Sequence, residues 1–182
     1  MSKINNNTVR LGIIGTGRMP DYHAEKFQAV KNCQIVAAVD VDPASAKAFC
    51  KKHDIPASYP SLQEMLARGE LDAVSNVTPD AFHAPISLQC LKAGKHVLCE
   101  KPLALNYPDA RRMVAAARKA GLINMINFSY RDWPCIQAVA ALVQRGGLGE
   151  LRHIEANYLQ SWLPSKIWGD WRTMPTWLWR LS

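Results

Sequence analysis

Val9-Arg10-Leu11-Gly12-Ile13-Ile14-Gly15-Thr16-Gly17-Arg18-Met19-Pro20 is the stretch on which the fold turns. Its first half is a short apolar run of strand character, its glycines make a turn, and a helical pattern then runs to about Lys31. A second apolar run, Ile35 to Asp40, is followed by Asp42-Pro43, a good N-cap and first helical position for a helix reaching about His53. Strand, helix, strand, helix in this order is a βαβ start. The alternation continues. Ser61-Leu62-Gln63-Glu64 is a capping box opening a helix to about Arg68, and Ala73 to Val77 reads as a buried strand. His83 to Ala93 reads as a helix closed by Gly94, His96 to Cys99 as a strand, Tyr107 to Ala120 as a helix closed by Gly121, and Ile123 to Phe128 as a strand. The pattern predicts an α/β fold, a Rossmann-type doubly wound and mostly parallel sheet with helices on both faces.

Gly15-Thr16-Gly17 lies where the first strand gives way to the first helix. Glycines there permit a tight turn and close backbone approach, while N–H groups at the helix start, those of Arg18 and Met19 in particular, face an anion. This is the position for a pyrophosphate. Asp40 ends the second strand, 23 residues after Gly17, where a carboxylate accepts hydrogen bonds from an adenosine ribose diol and repels a 2′-phosphate. The expected cofactor is therefore NAD, with NADP less favoured. The third fingerprint position holds Pro20 in place of Gly or Ala, which the first turn of a helix tolerates. The competing reading is a plain glycine turn with Asp40 as a solvated helix cap.

A second chemical signal is Ala93-Gly94-Lys95-His96-Val97-Leu98-Cys99-Glu100-Lys101-Pro102. Proline holds the residue before it extended, so Lys101 stands at a fixed strand exit, the end of an α/β sheet where ligands bind. A surface Glu-Lys pair is the bland alternative.

The 182 residues carry a formal charge of +7 and are 48% hydrophobic. That apolar content suits a globular core, and the basic residues never run beyond pairs such as Lys51-Lys52 and Arg111-Arg112. The charge thus suggests anionic small molecules, not nucleic acid. Five cysteines, Cys33, Cys50, Cys90, Cys99 and Cys135, form no CxxC pair and read as buried free thiols in a reducing compartment, without a metal site. The polar start, Met1 to Thr8, and the short apolar run after it lack the length of a signal or membrane segment. A soluble, cytoplasmic protein is expected, with no membrane partner.

The character changes after Tyr130. Residues 1–130 are expected to form the NAD-binding domain and 131–182 the start of a second, incomplete α+β domain, with a helix over Ile136 to Gln144, a turn at Gly146, Gly147 and Gly149, and a strand from Leu151 to Tyr158. Five of six tryptophans (Trp162, Trp168, Trp171, Trp177, Trp179) fall in the last 21 residues. One helix and one strand cannot bury so much aromatic surface, so the second domain reads as cut short. A Trp-rich tail folded back or docked on another subunit is the alternative, and it leaves a homo-oligomer open.

With these pieces in order, the chain resembles the Gfo/Idh/MocA family of NAD(P)-dependent oxidoreductases, which act mainly on sugars, cyclitols and related polyols. The carriers are Leu11 to Gly17, Val39-Asp40-Val41-Asp42-Pro43, Asp72-Ala73-Val74-Ser75 leading to Thr78-Pro79 and His83, and Ala93-Gly94-Lys95-His96-Val97 with Glu100-Lys101-Pro102. Tyr130-Arg131 with Pro134, Gly147-Leu148-Gly149-Glu150 and Trp179-Arg180-Leu181 also match family positions. The resemblance implies that Thr78 and Pro79 border the nicotinamide, that Glu100 contacts its ribose, that Lys101 touches the reacting hydroxyl as the catalytic residue, and that Arg180 is a further cofactor contact. Near a cationic nicotinamide and partly desolvated, Lys101 would suit a proton relay. His83 and His96 are expected to be structural. Two departures stand out: Ser129 replaces an Asn common before the Arg of this segment, and the family's D-x-G-x-H motif, expected just after Trp179-Arg180-Leu181, has no counterpart before Ser182. The implied activity is hydride transfer between a carbinol carbon and nicotinamide, with a sugar or polyol substrate. This chain alone is expected to bind cofactor with little or no turnover. A non-catalytic dinucleotide sensor or scaffold is the alternative.

Overall fold

In the computed structural model, residues 8–17 and 19–159 are described. The chain divides into two units between Trp133 and Pro134. In the first, six strands run β1 (Val9–Ile14), β2 (Cys33–Val39), β3 (Ala57–Tyr59), β4 (Ala73–Asn76), β5 (His96–Cys99) and β6 (Asn124–Ile126). Between them lie α1 (Pro20–Gln28), α2 (Pro43–Lys52), α3 (Leu62–Arg68), α4 (His83–Lys92) and α5 (Tyr107–Ala120). All strand pairs are parallel, in the order β3-β2-β1-β4-β5-β6. This is a doubly wound Rossmann sheet whose order reverses at β1, so that a crevice opens between the carboxyl ends of β1 and β4.

Local chemistry explains the element ends. Asp42 accepts from the Ala44 N–H at the start of α2, Ser61 accepts from the Glu64 N–H at the start of α3, and Gly121 ends α5 in the left-handed conformation. Residues of β1 and β2 face two cores. Leu11, Ile13, Ile35 and Ala38 pack with Ala24 and Phe49 of α1 and α2, while Ile14 and Val39 pack with Met65, Leu91 and Met113 of α3, α4 and α5. The β1–β2 register slips between Leu11 and Gly12, and Val36 and Ala37 accordingly share one face.

Several expectations need correction. Helix α1 ends at Gln28, short of Lys31, because a turn in which the Val30 N–H bonds Phe27 O and the Cys33 N–H bonds Val30 O feeds directly into β2. The edge strand β3 escaped notice because its three residues are half-buried and show no alternation. Cys135 is exposed, whereas Cys50, Cys90 and Cys99 are buried, and burial pushes the Cys90 and Cys99 thiols up to about 12.

The second unit contains α6 (Pro134–Gln144), closed by Gly146 at φ 72°. The strand expected from Leu151 to Tyr158 is absent. Residues 151–159 have no regular structure, since no ladder pairs with them among the described residues.

Candidate cofactor site

The carboxyl edge of the sheet gathers two groups of polar residues. At the first, Gly15 turns with φ at +91°, and a Cβ there would lie 3.0 Å from Val77 O, so both conformation and contact call for glycine. The Gly15 N–H donates to Val39 O at 2.9 Å, and the Val77 N–H to Ile14 O at 2.8 Å, tying the turn to β2 and β4. Gly17 is exposed, and a Cβ on it would meet nothing within 4 Å. The turn therefore opens onto free space at the start of α1, where aligned peptide dipoles favour an anion. Met19 is exposed there, and Pro20, without an N–H, is buried as the first helical residue. Arg18 lies outside the described residues.

Thr16 is turned inward. It is buried, and its N–H and hydroxyl donate to Asp40 Oδ2 at 2.6 and 3.0 Å. With its own proton given to Asp40, Thr16 Oγ1 accepts from the Ser45 hydroxyl at 2.8 Å. Asp40 Oδ1 accepts from the Asp42 N–H at 3.0 Å. A carboxylate has about four acceptor positions, and three are used. Asp40 thus has room for one more donor, while its charge still opposes a phosphate.

The second group lies across β4, β5 and β6. Thr78 donates its hydroxyl to Asn76 Oδ1 at 2.7 Å, and Asn76 Nδ2 donates to His83 O at 3.2 Å and Ser87 Oγ at 3.1 Å. Pro79 sits just ahead of a single 3-10 turn over Asp80–Phe82. His83, the first residue of α4 and fully buried, places its ring nitrogens 2.6 Å from Pro102 O and 2.8 Å from Thr78 O, bracing the two loops together. His96 opens β5 and accepts the Ile123 N–H at 3.0 Å. Both histidines thus hydrogen-bond backbone groups that tie neighbouring segments together.

Glu100 is 8% exposed and takes three hydrogen bonds. Its Oε1 accepts from His23 Nε2 at 2.8 Å and Asn127 Nδ2 at 2.6 Å, and its Oε2 accepts from the Lys101 N–H at 3.1 Å. Burial pushes this carboxyl up, but the bonds from His23, Asn127 and Lys101 outweigh burial and hold it at about 2. Lys101 itself is exposed. The Lys101–Pro102 peptide is cis. Arg180 lies outside the described residues.

His23, Asn76 and Asn127 were missed in the sequence, and Ser75 was given no role there. His23 could have been found: Pro20, His23 and Ala24 form the buried stripe of α1, and a polar ring on an apolar stripe demands a partner. Asn127 similarly interrupts the apolar run Ile123 to Phe128.

Among the described residues, no group of three or more His, Cys, Asp or Glu could hold a metal ion, and no helix is long and apolar enough to cross a membrane. Residues 9–128 match the Gfo/Idh/MocA model, described as an oxidoreductase family with an NAD-binding Rossmann fold. Trans-1,2-dihydrobenzene-1,2-diol dehydrogenases are similar: that of Sus scrofa is 38% identical over 155 residues, 84% of this chain and 46% of the relative. The Bos taurus protein is 35% identical over 82% of this chain and 45% of its own length. The chain therefore spans less than half the length of these relatives. Among solved structures, the WlbA dehydrogenase from Bordetella pertussis in complex with NADH and UDP-GlcNAcA aligns with a TM-score of 0.75 at 29% identity, over 79% of this chain and 42% of that one. The scyllo-inositol dehydrogenase from Lactobacillus casei aligns with a TM-score of 0.74 at 27% identity. With the strand order, the glycine turn and the acidic strand ends already in place, the chain belongs to the Gfo/Idh/MocA oxidoreductase family with its NAD-binding Rossmann fold.

Proposed function

We propose that this chain binds NAD in preference to NADP and forms the cofactor side of a dehydrogenase acting on a secondary ring alcohol of the sugar, polyol or cyclic diol type. The observation that carries this reading is the carboxyl edge of the sheet at its switch point, with an open glycine turn at one end and Glu100-Lys101 at the other. Gly15, Gly17 and the start of α1 suit the pyrophosphate. Thr16 acts indirectly, by holding Asp40 in place for a ribose hydroxyl. Thr78, Pro79 and Glu100 border the nicotinamide end. When bound, the cofactor supplies the hydride acceptor.

The chain's own part in the chemistry is to hold a proton. In the oxidation, the substrate C–H and O–H bonds break and a C=O bond forms, the hydroxyl proton passing to Lys101 Nζ in its neutral form. Reduction returns that proton from the ammonium. The names of the similar proteins, a dihydrobenzene diol dehydrogenase and an inositol dehydrogenase, share a ring carbon bearing a secondary hydroxyl, which supports the substrate class.

The exposure of Lys101 favours cofactor binding with little or no turnover by these residues alone, because a proton relay needs walls that orient the hydroxyl and exclude water. A dinucleotide sensor would share every feature of the binding edge. Calorimetric titration tests the cofactor reading: NAD should bind at least about tenfold more tightly than NADP, and Asp40→Ala should weaken NAD about tenfold and narrow the preference. Equal affinities in the unmodified chain, unchanged by Asp40→Ala, would overturn it. Assay of the chain with NAD and inositols should give little reduction, and ordinary enzyme rates would contradict the account of Lys101.

A further inference from the structure

Four residues from four separate elements join in one hydrogen-bonded cluster. His23 comes from α1, Ser75 from β4, Glu100 from the end of β5 and Asn127 from the residue after β6. His23 is 3% exposed and Ser75 is fully buried, so these hydrogen bonds are closed to water. A carboxylate only accepts, so the His23 nitrogen facing Glu100, Nε2 at 2.8 Å, carries a proton. The other nitrogen, Nδ1, meets the Ser75 hydroxyl at 2.9 Å, which can donate to it. Glu100 thereby selects the tautomer, and the Ser75 hydroxyl satisfies the nitrogen left without a proton.

The acceptor count on Glu100 gives this arrangement its purpose. Oε1 takes two donors, His23 Nε2 and Asn127 Nδ2, and is full. Oε2 takes only the Lys101 N–H and keeps one position open. Without His23, the carboxylate could rotate or share a proton, and its open position would not be fixed.

We propose that His23 is a positioning residue for cofactor binding, which pins Glu100 through Oε1 so that a fixed anion presents one free acceptor, Oε2, to the cofactor. The inference rests on the dinucleotide reading above and adds to it a residue of α1 that touches neither cofactor nor substrate. Through His23, the helix that begins at the glycine turn also organises the opposite end of the groove. One helix thus serves both ends of the site.

The test joins binding to a spectroscopic readout on the full chain. Long-range 1H–15N correlation of the histidine rings, with His23→Gln identifying the resonance, should show a protonated Nε2. A ring protonated at Nδ1 alone would overturn the inference whatever the variants do. NAD should bind His23→Ala about tenfold more weakly, as expected for a lost hydrogen bond to a charged group. His23→Gln, whose amide reaches the same acceptor, should recover affinity to within about threefold. Equal weakness in both variants, or no weakness in His23→Ala, would refute the positioning role. A chain that binds no dinucleotide although Nε2 is protonated would refute the nucleotide reading, and the cofactor role of His23 with it.

Discussion

Asp40 and Glu100 are the same chemical group at the ends of parallel strands, yet their surroundings differ. Asp40, at the end of β2, is half-buried and held by the Thr16 N–H and hydroxyl from the neighbouring strand end and by the Asp42 N–H. Glu100, after β5, is buried and takes two of its three bonds from side chains of two other elements, His23 of α1 and Asn127 after β6. A carboxylate at the rim, partly in water, can adjust to a ligand. One sealed in a network cannot move without stranding its donors. The first is suited to telling one ribose from another, and the second to presenting a fixed charge.

Removing each carboxylate separates the two cases most strongly. Glu100→Ala leaves His23 Nε2–H, Asn127 and the Lys101 N–H without their acceptor, and should cost about 3 kcal/mol of unfolding free energy in urea titrations. Asp40→Ala exposes its donors to water at the rim and should cost only about 1 kcal/mol. Equal losses would dissolve the distinction.

Acid sharpens it. The Glu100 carboxyl, held at about 2 in the fold against an ordinary 4.5, favours the ionised form. That stabilisation is complete above the ordinary value and is lost as pH falls from about 4.5 towards 2. Asp21, bonded by Lys52 and then His53, and Asp72, bonded by Arg10, are also lowered and add to the same acid slope. Urea midpoints of the unmodified chain should therefore drop through this window, and those of Glu100→Gln should drop less steeply. Identical slopes would show that Glu100 is not the anchored anion.

The weakest perturbation serves as the baseline. Arg68→Ala removes an exposed i,i+4 pair with Glu64 on α3, bonded to neither carboxylate, and should change stability by no more than about 0.5 kcal/mol. A larger loss would mean that exposed pairs matter as much as the buried network.

The contrast also explains what could be read from the sequence. The alternation of strands and helices followed from periodic apolar runs and local end signals, as at Asp42, Ser61 and Gly121, because those effects act within a few residues. Asp40 and Glu100-Lys101 were legible because strand ends are marked locally. The His23–Glu100 bond spans 77 residues, and nothing near Glu100 announces it. Likewise, the inward turn of Thr16 depends on where β2 ends beside β1, which only the packed sheet decides. The strand expected after Leu151 had the right local pattern, but a strand exists only with a partner, and no described residue supplies one.

On the proposed function, a dinucleotide lies along the carboxyl edge of the sheet, from the glycine turn to Glu100. Backbone 1H–15N spectra of the labelled chain, recorded as NAD is added, test it directly. Shifts should concentrate at Gly15 to Met19, Asp40 to Asp42, Thr78 and Glu100-Lys101, leaving Gly94 and Gly121, which precede the amino ends of β5 and β6, unmoved. Shifts centred on Gly94 and Gly121, or none at saturating NAD, would contradict the account.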